Sequence, residues 1–71
     1  MLRYLVVIQK ANRNYSAYFP DLPGCVATGK TRELTNRNMH EAIERHVQGL
    51  CEDKLPIPKP GSFAETMAVA N

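Results

Sequence analysis

The segment that most constrains the fold is Pro20-Asp21-Leu22-Pro23-Gly24. Each proline fixes its own φ angle, removes a backbone donor and biases the residue before it toward an extended conformation. The segment is therefore incompatible with a helix or with the interior of a sheet. We expect a stiff, extended corner that joins two short strands.

The residues on either side of this corner have the composition of strands. Residues 2–9 are rich in Leu, Val, Ile and Tyr on both alternating faces, which predicts a central strand covered on two sides. Asn12 and Asn14 tolerate left-handed backbone angles, so we expect a hairpin leading into a second strand over residues 15–19. Residues 25–28 predict a short third strand after the corner.

Only one segment has helical periodicity. Apolar residues recur at steps of three and four as Met39, Ala42, Ile43, Val47 and Leu50. This spacing places them on one face of an amphipathic helix, which we expect to pack on the sheet. Thr31 and Thr35 are alternative N-caps, and neither is followed by the Glu or Gln of a capping box.

The C-terminal part is predicted to be extended. Three prolines in 55–61 delete backbone donors and exclude a helix, so this segment reads as a connector. Whether residues 63–69 form a last strand is left open, because alanines weaken the pattern. The expected fold is α+β, an antiparallel three- to four-stranded sheet with one helix on one face (β-β-β-α-β), in a single domain over residues 1–71.

Composition and charge narrow the classes of function. The net charge of +2 is small and the basic residues are scattered, so there is no nucleic-acid-binding footprint. Two widely spaced cysteines do not make a disulfide framework, and the start of the chain does not resemble a signal peptide, so we expect a cytoplasmic protein. No apolar run approaches the roughly 20 residues that span a bilayer.

The titratable residues do not predict an active site. Asp21 is the only acid before Glu33, whereas a metal-dependent nuclease needs several converging carboxylates. His40 and His46 lie on different sides of a helix, and His40 has the spacing of an ion pair with Glu44. Both cysteines read as packing residues. We therefore expect no catalytic residue, no metal site and no cofactor.

The stretch Tyr18-Phe19-Pro20-Asp21-Leu22-Pro23-Gly24-Cys25 resembles the hallmark of the HicB antitoxin family, which has a partial ribonuclease H fold. The similarity extends to the helix residues Asn38, Glu41, Ala42 and Ile43 and to Ile57-Pro58-Lys59-Pro60. The resemblance implies a strand-strand-strand-helix-strand domain that dimerises. It also implies binding to a small mRNA-cleaving HicA-type toxin, whose active surface the antitoxin covers.

The chain departs from the family pattern in two places. Arg32, Thr35 and Asn36 occupy inward positions of the first helical turns that are usually apolar in the family. Since a buried polar group without a partner is costly, we expect the first turn to be frayed, exposed or shifted so that Leu34 faces inward. Family members usually continue into a DNA-binding module, whereas this chain ends at Asn71, so we expect no DNA binding by this chain alone.

The proline corner has two interpretations. In one, it only turns the chain and Asp21 accepts hydrogen bonds from nearby backbone donors. In the other, a pre-ordered loop displays Tyr18, Asp21, Leu22 and Pro23 to a protein partner, with Asp21 facing a basic toxin.

The expected function is that of an antitoxin that neutralises a HicA-type toxin without catalysis. The alternative is an orphan oligomeric binding module for RNA or a small ligand. Because the first strand is apolar on both sides, we also expect a homodimer or tetramer. A short basic open reading frame beside the gene would favour the antitoxin.

Overall fold

Three short antiparallel strands and one long helix make up the regular structure. The computed structural model describes all of residues 1–71. The strands are β1 (Val7–Lys10), β2 (Tyr15–Tyr18) and β3 (Val26–Gly29), and the helix is α1 (Arg32–Glu52). The sheet order is β1-β2-β3, with both neighbouring pairs antiparallel. The expected α+β fold is confirmed, as are the hairpin between β1 and β2 and the helix after β3.

The strand register sorts the side chains onto two faces of the sheet. On the inner face, Ile8 lies opposite Ala17, which lies opposite Ala27. These three residues belong to the core or pack against it. On the outer face, Val7 lies opposite Tyr18, which lies opposite Val26. We call Val7, Tyr18 and Val26 the outer apolar row.

The helix begins with a polar turn in which both threonine hydroxyls are hydrogen-bonded. Thr31 is the N-cap, and its hydroxyl accepts from the Leu34 amide at 3.0 Å. Thr35 is completely buried, and its hydroxyl donates to the Thr31 carbonyl at 2.7 Å. Of the three alternatives for this turn, exposure is the one adopted, since Arg32 is exposed and Leu34, at 37% exposed, is not turned inward. Thr35 is the exception, because it is buried with its hydroxyl satisfied. Asn36 is exposed, as expected.

The apolar stripe of α1 faces the sheet, as predicted. Met39 is buried at the centre of the core, and Ala42 and Ile43 pack against the core from the next turn. The helix lies over β3 and β2 and leaves β1 largely uncovered. Ile8, the apolar residue on the inner side of β1, is therefore only half-buried.

Two expectations about the strands and the corner are corrected. The first strand is an edge strand, because β2 takes the centre of the sheet. The corner is not extended but consists of two consecutive turns. In the first turn the Leu22 amide donates to the Phe19 carbonyl, and in the second the Cys25 amide donates to the Leu22 carbonyl, each at 3.1 Å. Gly24 completes the second turn with a φ of +84°, a conformation that favours glycine. These turns allow the Leu22 side chain to enter the core.

The connector after the helix forms neither helix nor strand, and residues 63–69 form no strand within the single chain. Phe63, Met67 and Val69 are 84%, 90% and 88% exposed. The three-stranded alternative is thus the one adopted, and the segment Phe63–Val69 lies away from the core. We call this segment the C-terminal segment.

The end of β3 and the start of α1 approach closely at Gly29, which predicts that two glycine substitutions change the stability in opposite directions. A Cβ at Gly29 would lie 2.7 Å from the Thr35 backbone nitrogen, whereas a Cβ at Gly49 would meet nothing within 4 Å. We expect Gly29→Ala to destabilise by about 1 to 3 kcal/mol through overpacking. Gly49→Ala should stabilise by up to about 1 kcal/mol through helix propensity.

Thermal unfolding followed by circular dichroism measures both variants. A 1 kcal/mol change shifts the midpoint of a domain this small by about 4 to 8 °C. Equal midpoints for Gly29→Ala and the parent protein would show that the helix does not sit this close to β3.

Candidate partner-binding surface

The outer face of the sheet presents an apolar row that no other element covers. Tyr18 is 41% exposed and Val26 63% exposed, and Val7 lies beside them as a partly buried neighbour. Isolated apolar side chains are normal on a protein surface, whereas contiguous exposed apolar side chains are more often part of an interaction site than isolated ones are. All three residues lie on paired strands, so their backbone positions are fixed before any partner arrives.

The four residues predicted to contact a partner occupy four different environments. Tyr18 is part of the outer apolar row, and Pro23 is exposed on the turn that follows. Leu22 is 0% exposed at the centre of the core, so the interpretation that it is displayed to a partner is wrong. The physical reason is the double turn, which directs this side chain inward.

Asp21 holds the C-terminal part of the chain. Its Oδ2 accepts hydrogen bonds from the backbone amides of Gly61 and Ser62, both at 2.9 Å, and its Oδ1 accepts from the Ser62 hydroxyl at 2.8 Å. The Gly61 amide, then the Ser62 amide and hydroxyl, lower the pKa of the Asp21 carboxyl by stabilising its charged form. Asp21 does accept backbone donors, but they lie 40 residues away rather than in its own turn.

A second contact fixes the path of the connector. The Tyr4 hydroxyl donates to the Pro58 carbonyl, and the Tyr4 ring packs edge-on against Phe19 with 6.4 Å between ring centroids. We call the contacts of Asp21 and Tyr4 with residues 58–62 the tail clamp. The clamp positions the chain up to Ser62, and the C-terminal segment begins immediately after it.

A groove of about 560 Å³ lies between the N-terminal residues and α1, where the helix does not cover β1. Its apolar lining consists of Leu2, Tyr4, Val6, Phe19, Met39 and Ile43. The side chains of Glu33, Asn36, Arg37 and His40 also line it. Sequence reasoning did not find this groove, because it depends on the lateral position of the helix.

The remaining titratable groups are structural or exposed. His40 lies 3.2 Å from Glu44, which confirms the predicted pair. Cys25 is buried, and this burial raises the pKa of its thiol, as fits the predicted packing role. Cys51 is exposed, so its expected packing role is wrong. No three His, Cys, Asp or Glu side chains converge as metal ligands, and α1 lacks the apolar length needed to cross a bilayer.

The tail clamp predicts a pH-dependent release of residues 61–62. Folding lowers the pKa of Asp21, so the clamp gives its full stabilisation above the ordinary aspartate pKa of 3.8. This stabilisation is lost as the pH falls through the lowered pKa of the folded protein. NMR amide shifts of Gly61 and Ser62 should therefore show a single transition below pH 3.8.

Asp21→Asn should abolish that transition, because the side-chain amide of asparagine does not take up a proton in this pH range. Glu65→Gln is the matched control, since it neutralises an exposed carboxylate in the same part of the chain. Persistence of the transition in Asp21→Asn would assign the titration to another group.

Three relatives share the sequence pattern of this chain. A protein of Haemophilus phage HP1 named as an uncharacterized 14.9 kDa protein is 39% identical over 56 residues, which are 79% of this chain and 42% of the relative. A UPF0150 protein of Helicobacter pylori is 45% identical over 49 residues, 69% of this chain and 68% of the relative. A UPF0150 protein of Synechocystis is 31% identical over 67 residues, 93% and 85% of the two chains.

The chain thus spans less than half the length of the phage relative and most of the length of the cyanobacterial one. The model of the HicB-like antitoxins of bacterial toxin-antitoxin systems matches residues 4–71. This match includes the strands, the proline corner, the helix and the C-terminal segment. The protein belongs to the HicB-like antitoxin family.

Proposed function

We propose that this protein is an antitoxin that binds a small mRNA-cleaving HicA-type toxin through the outer apolar row and Pro23. The observation that carries the proposal is the exposed row on an otherwise uncovered sheet face. Family membership supports the antitoxin role. The identity of the toxin and the contact residues are the proposed part.

The row has the physical properties of a binding site. Tyrosine is enriched among residues that dominate binding energy, since it offers a large contact area and a hydroxyl with few rotatable bonds. Tyr18 is flanked across the sheet by two valines, whose branched side chains lose little freedom on docking. A pre-ordered surface of this kind loses little entropy when it binds.

Asp21 and Leu22 support this surface from behind in the proposed arrangement. Leu22 anchors the double turn in the core, and Asp21 ties that turn to residues 61–62. Both therefore fix Pro23 relative to the row. The Asp21 oxygens already accept three hydrogen bonds, so charge attraction to a basic toxin is secondary to apolar contact.

Neutralisation by this route is steric. A bound antitoxin that covers the RNA-binding surface of a toxin stops cleavage without any reaction of its own. The proposal therefore assigns no catalytic residue and no cofactor to this chain. It places the protein in the cytoplasm together with the toxin, where the free thiols of Cys25 and Cys51 stay reduced.

The proposal includes self-association into a homodimer or tetramer. The uncovered inner side of β1 supports it, as does the position of β1 at an edge of the sheet. An apolar edge strand left open is a template for pairing with another chain.

Tyr18→Ala tests the proposed contact surface. We expect at least about a tenfold loss of affinity for a HicA-type toxin, as for a central aromatic contact residue, measured by calorimetry with a catalytically inactive toxin. Inhibition of mRNA cleavage by the active toxin should fall in parallel. Leu34→Ala is the matched control, because Leu34 is similarly exposed at 37% but lies on the helix.

Circular dichroism of both variants separates a lost contact from a lost fold. If a folded Tyr18→Ala protein bound the toxin with wild-type affinity, the outer apolar row would not be the contact surface. If the unmodified chain neither binds nor inhibits HicA-type toxins encoded in its own genome, the proposed toxin class is wrong.

A further inference from the structure

No charged side chain points to the outer face of the sheet. Successive residues of a strand point to opposite faces, so each strand places two side chains on this face. The six are Val7, Gln9, Ser16, Tyr18, Val26 and Thr28. By contrast, the exposed side of α1 carries charges of both signs, including Arg32, Glu33, Arg37, Glu41, Glu44 and Arg45. The outer face is therefore a neutral surface on a chain whose helix is highly charged.

The six side chains form two rows of different chemistry. The outer apolar row lies at the end of the sheet next to the proline corner. Two residues farther along the strands, toward the hairpin between β1 and β2, Gln9 lies opposite Ser16, which lies opposite Thr28. We call these three residues the outer polar row. Because two strand residues span only about 7 Å, a partner surface that covers the first row also covers the second.

The hydrogen-bonding groups of the outer polar row are unused within the chain. Gln9 and Thr28 are exposed, and Ser16 is partly buried. None of the three side chains makes a hydrogen bond to another group of the protein. A partner that covers these groups displaces their water, and each group left without a new hydrogen-bond partner weakens the complex. The row therefore selects partners that carry matching donors and acceptors.

The absence of charge restricts the kind of partner that fits the outer face. Nucleic acids and anionic lipid surfaces are bound through clustered Lys and Arg side chains, of which this face has none. The basic residue of β1, Lys10, points to the opposite face together with Ile8. What fits the outer face is a neutral protein surface, apolar at one end and hydrogen-bonding at the other. Because the chain belongs to an antitoxin family, a toxin is the partner that this argument favours.

We infer that the outer polar row determines which toxin this antitoxin accepts, through hydrogen bonds between neutral groups, while the outer apolar row supplies most of the affinity. The inference rests on the proposed function and deepens it, since it adds Gln9, Ser16 and Thr28 to the contact surface. It also specifies that the toxin surface in contact with them is neutral. RNA is then kept from the toxin by the bulk of the bound antitoxin, without charge pairing between the two proteins.

Thr28→Val tests the outer polar row, because it replaces a hydroxyl by a methyl group of similar size and keeps a residue that favours strands. We expect at least about a fivefold loss of affinity for a catalytically inactive HicA-type toxin, measured by calorimetry, as for a hydrogen bond lost at an interface. Gln9→Ala should weaken the complex in the same way. Thr66→Val is the matched control, since it makes the same substitution at an exposed threonine outside the sheet.

Selectivity is measured with a second HicA-type toxin that the unmodified chain binds more weakly. Thr28→Val should lose affinity mainly for the toxin that binds better, so the ratio of the two dissociation constants should shrink at least about fivefold. Tyr18→Ala should weaken both complexes and leave this ratio unchanged, because an apolar contact is less selective.

Salt and RNA test the neutral character of the contact. The dissociation constant for the toxin should change less than about threefold between roughly 0.05 and 0.5 M sodium chloride, since salt screens charge pairs. In NMR spectra, the toxin should shift the amide signals of Gln9, Ser16 and Thr28. An RNA oligonucleotide should leave all three signals unchanged.

Two results would overturn this inference and leave toxin binding through the outer apolar row intact. One is unchanged affinity and selectivity in Thr28→Val and Gln9→Ala proteins that are folded by circular dichroism. The other is an affinity that falls steeply with salt. RNA-induced shifts confined to the outer face would overturn the inference by making a nucleic acid the partner. If the unmodified chain binds no HicA-type toxin, the proposed function fails, and this inference with it, before any substitution is made.

Discussion

The burial of Leu22 is the contact on which the rest of this structure depends. Its side chain lies at the centre of a small core beside Phe19, Cys25 and Met39. To reach that position the proline corner folds into two successive turns instead of running straight. The same turns start β3 in register with β2 and hold Asp21 where residues 61–62 can reach it.

Two polar contacts extend this arrangement to the helix and the connector. At the start of α1, Thr35 is buried against Gly29 with its hydroxyl bonded to the preceding turn, so a polar side chain occupies a core position without an unmet hydrogen bond. At the corner, the Asp21 carboxylate accepts hydrogen bonds from the amides of Gly61 and Ser62, which lie outside any helix or strand. Each contact ties a distant part of the chain to the strands.

The sheet therefore has two separate surfaces that no other part of the single chain covers. The outer apolar row is rigid and continuous across three strands, as suits docking of a folded protein such as a toxin. The β1 edge has no neighbouring strand in the single chain, and the groove beside it is open. The small core supplied by one copy makes such external partners physically reasonable, because a chain of this length buries a limited share of its apolar surface.

Much of the architecture followed from local sequence rules. The proline corner, the Asn-containing hairpin, the helical stripe from Met39 to Leu50 and the proline-rich connector are set by backbone geometry and periodicity, which act over a few residues. The resemblance around Tyr18 to Cys25 also predicted the family that the comparison with known proteins confirmed. The partner-binding role of Tyr18 and Pro23 stays a prediction.

Only the tertiary structure decided which strand is central, which side chain of the first helical turn is buried, and what Asp21 binds. Leu22 and Asp21 are neighbours in a turn, yet one enters the core and the other meets an amide 40 residues away. Sequence alone cannot assign such roles, because burial and long-range hydrogen bonds depend on how the elements pack. Local sequence patterns determine where the strands and the helix form, whereas packing in the common core determines which of them become neighbours.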